Sequence, residues 1–122
     1  MHILVVDDNP DIVELMQSLL ESGGYDVSTT NGGNSCLDIL SKEEFDIVLL
    51  DITMPDVSGF DVVQKLNDSN RLEKNKVILF TTASISDSEL DKWKEIGVKA
   101  CLRKPFDPGT LFQIISDVSM QE

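Results

Sequence analysis

Five stretches of the chain carry strand patterns and five carry helical ones, in strict alternation. Residues 3–6 (Ile-Leu-Val-Val) and 47–50 (Ile-Val-Leu-Leu) are continuous apolar runs, the pattern of parallel strands covered on both faces. Residues 25–30 alternate, as a shorter and more exposed strand should, and residues 77–80 and 98–102 supply the fourth and fifth strands. Between them the apolar period lengthens to that of a helix. Ile12, Met16, Leu19 and Leu20 form the first stripe, opened by Asn9-Pro10 as cap and first helical residue and closed by Gly23-Gly24. Cys36, Leu37 and Leu40 mark the second helix, and Phe60, Val63 and Leu66 after Gly59 mark the third. A polar connector, residues 67–75, follows. Ser86 with Glu89 three residues on has the capping-box spacing, ahead of Leu90, Trp93 and Ile96. Leu111, Ile114, Ile115 and Val118 line the last helix. Strands separated by helices of this length call for right-handed crossovers and one parallel sheet, an α/β fold with helices on both faces.

Composition narrows the class. A chain of 122 residues, 41% hydrophobic and 26% charged, fits a single domain with its own core. The net charge of −12 argues against unspecific binding to nucleic acid or anionic membranes by this chain itself. No apolar stretch reaches the roughly 20 residues that span a bilayer, and the start, Met1-His2, has no signal-peptide pattern. Cys36 and Cys101 lack metal or redox spacing, which points to a reducing cytoplasm. His2 has no evident partner and is assigned no role.

The chemistry gathers at the strand ends. Ligands of such sheets bind beyond the carboxyl ends of the strands. Asp7 and Asp8 follow the first strand, Asp51 the third, Thr82 the fourth and Lys104-Pro105 the fifth. Three carboxylates brought together repel one another, by roughly 3–4 kcal/mol per close pair at an effective dielectric near 20. A hard cation such as Mg²⁺ relieves that repulsion. The set fits phosphoryl transfer: Asp51 as a carboxylate nucleophile, Lys104 as a point charge, the Thr82 hydroxyl and the Ala83 N–H as donors to phosphoryl oxygens. Gly59 is expected to serve backbone geometry, while Cys36 and Trp93 are expected to pack in the core.

With Val-Val-Asp7-Asp8, Leu-Leu-Asp51-Ile-Thr-Met54-Pro55, Gly59, Thr82-Ala83 and Lys104-Pro105-Phe106 in order along the whole chain, the sequence resembles the receiver domain of two-component response regulators. The resemblance implies a flavodoxin-like five-stranded sheet in the order 2-1-3-4-5. It implies that Asp51 accepts a phosphoryl group from a phosphohistidine of a sensor histidine kinase or phosphotransfer protein. Asp8, Asp51 and the Thr53 carbonyl would ligate Mg²⁺ directly and Asp7 through water. Thr82, Ala83 and Lys104 would bind the phosphoryl oxygens, and the Lys104–Pro105 peptide would be cis. A face made by the fourth helix, fifth strand and fifth helix would present the change to a downstream protein. The chain is thus expected to be one receiver domain over residues 1–122, with no output domain, acting as a switch and not as a turnover enzyme.

One position departs from the family pattern. Three residues before Lys104 the family usually carries an aromatic ring that turns inward with the threonine; here stands Cys101, which has no ring to make that swing. Thr53 and Ser84 occupy positions that, by the resemblance, tune water access; both are small and polar. Two rival readings remain at this level. One is a receiver-fold interaction module that no longer responds to phosphate, suggested by Cys101. The other is a Mg²⁺-dependent aspartyl-phosphate phosphatase, which needs a second carboxylate two residues after the nucleophile, where this chain has Thr53.

Overall fold

The computed structural model describes residues 1–81 and 85–121. Among them the order is β1 (His2–Val6), α1 (Pro10–Ser22), β2 (Asp26–Thr30), α2 (Gly33–Lys42), β3 (Ile47–Asp51), α3 (Gly59–Asp68), β4 (Lys76–Thr81), α4 (Asp87–Ile96), β5 (Ala100–Arg103) and α5 (Pro108–Ser119). All pairings are parallel, as the alternation predicts, and the sheet runs 2-1-3-4-5, as the resemblance implies. β1 and β3 lie adjacent, Ile3 opposite Ile47 and Val6 opposite Leu50, which carries residue 7 and Asp51 to one rim.

Alternation along the strands divides the core into two layers. Leu4, Val6, Val48, Leu50, Val77 and Leu79 face α2, α3 and α4. Ile3, Val5, Ile47, Leu49, Ile78 and Phe80 face α1 and α5. The central strands are therefore apolar at successive positions over residues 3–6, 47–50 and 77–80, as expected of strands buried on both faces. Cys36 is fully buried in the first layer. Trp93 is also buried there, stacked on Phe60 with centroids 4.8 Å apart. His2 does have partners: its Nε2 lies 2.7 Å from Ser28 Oγ and its ring packs on Phe45. They lie 26 and 43 residues away, out of reach of local pattern.

Strand boundaries moved where a helix end claimed the residues. The Tyr25 N–H still donates to Leu20 O, and the Val98 N–H to Trp93 O beyond Gly97 at φ 145°. β2 and β5 thus begin one and two residues later than the apolar pattern alone predicts. Asn9 caps α1 by accepting from the Asp11 N–H, with Pro10 at the first helical position, and Ser86 caps α4 by accepting from Glu89.

Candidate phosphoacceptor site

Each carboxylate of the site sits where its strand stops. Val6 and Leu50 are the last fully apolar residues of β1 and β3, so the next side chains emerge at the sheet rim. Asp7 is 1% exposed and Asp51 5%, while Asp8 faces solvent. One oxygen from each of Asp7, Asp8 and Asp51 lies within 4.8 Å of the others. Lys104 reaches in from the end of β5, its Nζ 2.9 Å from Asp7 Oδ2 and 3.7 Å from Asp51 Oδ1. Two features aim that lysine. Its backbone N–H donates to Thr81 O, and its ammonium lies over the buried Phe80 ring, 4.6 Å from the centroid. The Lys104–Pro105 peptide is cis. Asp7 is held by the Asn9 N–H, which donates to Oδ1 at 2.9 Å.

The charge balance is unfavourable as it stands. Burial, then Asp7, pushes the Asp51 carboxyl up to about 6; Lys104 and the Thr53 N–H, which donates to it, pull it down, and Asp8 adds a smaller push upward. One ammonium does not neutralise three carboxylates. The donor set fits Mg²⁺: ligands in an octahedron of roughly 2.0–2.1 Å bonds stand about 3–4 Å apart, and these oxygens are already within 4.8 Å.

The structure brings together Asp7, Asp8, Asp51 and Lys104, with Thr53 one residue beyond Ile52 and bonded to Asp51. The expectations for Thr82, Ala83 and Ser84 lie outside the described residues. Cys101 is half-buried on β5 and packs against the α2–α4 layer, its thiol pushed up by burial.

Several participants escaped the sequence reading. Phe80 carries no signal beyond hydrophobicity, yet it forms the platform under Lys104. Arg103 donates to Ile85 O at 2.6 Å and pairs with Asp87 at the start of α4. Asp56 binds the amino end of α2. In the last two cases the partners come from other elements, so spacing gives no hint.

Comparison with known proteins decides the family. The family described as response regulator receiver domain matches residues 3–116. The chain belongs to that family. Response regulator SaeR of Staphylococcus epidermidis is 37% identical over 110 residues, 90% of this chain and 46% of that protein. SaeR of Staphylococcus aureus is 33% identical over 117 residues, 96% of this chain and 50% of that protein. The receiver chain thus spans about half the length of the curated relatives it matches. Among solved structures, Vibrio cholerae chemotaxis protein CheY4 superposes with a TM-score of 0.86 at 29% identity, covering 96% of this chain and 97% of that one. Thermotoga maritima TrrA, solved in complex with Mg(2+)-BeF, gives 0.84 at 32% identity, covering 96% and 97%.

Proposed function

We propose that this receiver domain is a phosphorylation-dependent switch in which Asp51 takes a phosphoryl group from a phosphohistidine on a partner histidine kinase or phosphotransfer protein. One observation carries the reading: a buried carboxylate at the end of β3 stands 3.7 Å from a fixed ammonium and shares its rim with two further carboxylates. An Asp51 oxygen forms the new O–P bond as the P–N bond breaks, and that electron pair returns to the imidazole nitrogen. Lys104 Nζ is close enough to Asp51 to meet an oxygen of the group bound there. The Thr82 hydroxyl and Ala83 N–H, following β4, complete the donors. Mg²⁺, held by Asp8, Asp51 and the Thr53 carbonyl and through water by Asp7, would supply the positive charge that phosphoryl oxygens need.

The new dianion draws Thr82 and Lys104 toward Asp51 and biases an existing equilibrium between two conformations. The face of α4, β5 and α5 presents the change to a downstream protein, with Cys101 in place of the usual aromatic ring. The cytoplasm is the compartment that fits a kinase partner; among the described residues no helix is long and apolar enough to cross a membrane.

Incubation with acetyl phosphate and Mg²⁺, followed by intact mass, tests the proposal. A gain of one phosphoryl group, absent with EDTA and absent in Asp51→Asn, is expected. No gain sinks the reading, and hydrolysis of many equivalents of phosphomonoester replaces it with a phosphatase.

Mg²⁺ alone is also expected to raise the melting temperature, since the unfolded chain has no assembled cluster to bind it. At 100 times the dissociation constant the stabilisation is about 2.7 kcal/mol. Asp8→Asn should blunt that rise in a thermal scan; an undiminished metal response would count against Asp8 as a ligand.

A further inference from the structure

The segment between β3 and α3 carries Thr53, and it is fastened to a helix that has no other part in the site. α2 begins at Gly33 after the cap residue Gly32, which has no side chain with which to bind the helix's free N–H groups. Asp56 does this from 23 residues away: Oδ1 accepts from the Gly33 N–H at 3.1 Å and Oδ2 from the Asn34 N–H at 3.0 Å. Both oxygens are used, and a carboxylate is well placed at a helix amino end.

The local glycines make the approach possible. A Cβ on Gly32 would lie 3.0 Å from Asp56 Oδ2, and one on Gly33 would lie 2.8 Å from both Val57 Cβ and Val57 O. The same segment is fixed at its other end, where the Gly59 N–H donates to Ile52 O at 2.8 Å and Met54 is buried in the α2–α4 layer. Thr53, exposed between these anchors, donates its N–H to the Asp51 carboxylate.

We infer that Asp56 is a positioning residue for phosphoryl transfer, holding the Thr53 carbonyl in place for Mg²⁺ by clamping the β3–α3 segment to α2. It touches neither the metal nor the phosphoryl group. The inference rests on the functional reading given above, and it adds α2 to the elements that set metal affinity. Groups that orient ligands from outside typically change metal affinity by roughly 10–100-fold when removed. With only one of the direct ligands affected, the low end of that range applies.

The test compares the full chain with Asp56→Ala, Asp56→Asn and, as a control, Lys76→Met. Lys76 binds the carbonyls of Val118 and Gln121 at the end of α5, on the opposite rim. It therefore removes a helix-end contact without approaching the site. MgCl₂ titration by calorimetry and by the Thr53 amide shift is the readout, with acetyl phosphate uptake measured at saturating Mg²⁺.

Asp56→Ala should bind Mg²⁺ about tenfold more weakly, with uptake restored at saturating metal. Asp56→Asn keeps one accepting oxygen and should fall between it and the wild type. Lys76→Met should lose stability and keep its metal affinity. If Asp56→Ala does not fold, the Asn variant decides by the same titration. Variants that bind Mg²⁺ as tightly as the wild type overturn the inference alone; a wild type that binds none overturns it together with the functional reading.

Discussion

Asp51→Asn is expected to make the metal-free protein more stable at pH 7 while abolishing phosphoryl uptake. Burial first, and Asp7 next, hold the Asp51 carboxyl at about 6 in the folded chain, against 3.8 for an unperturbed aspartate. Between those two values the folded state binds more protons than the unfolded one. Stability therefore falls as pH rises through that window and levels off above it. At one unit per 1.36 kcal/mol, the ionised Asp51 costs the metal-free fold about 3 kcal/mol at neutral pH. An asparagine never ionises, so the variant should lack this slope and keep most of that difference. Denaturant unfolding in EDTA from pH 4 to pH 8 is the measurement. An Asn variant less stable than wild type at pH 7, or one with the same slope, would show that Asp51 is not under electrostatic stress. Mg²⁺ should reverse the order, because it stabilises the wild-type cluster far more than the variant.

Gly59→Ala carries the second large effect, for a steric reason. A Cβ at residue 59 would stand 2.5 Å from Asp51 O and 2.9 Å from Ile52 Cα. Both are backbone atoms and cannot swing aside as a flexible side chain can. Relief requires α3 to lift from the end of β3, breaking the Gly59–Ile52 hydrogen bond and exposing Val62 and Val63 at the helix base. Overpacking of this kind costs about 1–3 kcal/mol, which for a domain of this size lowers the melting temperature by roughly 4–12 °C. Phosphoryl uptake should fall as well, since losing the Gly59–Ile52 hydrogen bond frees the segment that follows Asp51 and carries Thr53. A variant with wild-type melting and uptake would mean that the helix can yield at no cost.

The sheet was legible because its signal is dense: β1 and β3 are apolar at successive positions, and few other arrangements absorb such runs. Asp7, Asp8, Asp51 and Lys104 were legible for a related reason. A polar residue immediately after a buried strand has one place to go, the rim, and parallel strands share that rim. Gly59 was read as a backbone requirement, and the close approach of Asp51 O gives that requirement its cause. Asp56 was not legible. Its role depends on the path of a segment that is neither strand nor helix, and its partners Gly33 and Asn34 are typical turn residues in sequence. Arg103 was hidden similarly, since the Ile85 carbonyl it binds is a backbone group that any residue could offer. The aromatic platform at Phe80 was hidden by being ordinary: a strand phenylalanine predicts burial and says nothing of the ammonium above it.

The outer strands of the sheet have a consequence for behaviour at high concentration. β2 is five residues long and presents Asp26 and Thr29 to solvent, and β5 is four residues long and ends on the exposed Arg103. Short margins bearing charge and hydroxyl groups are poor templates for a further strand from another molecule. Together with the mutual repulsion of chains carrying −12 each, they leave little opportunity for fibrous aggregation from the native state.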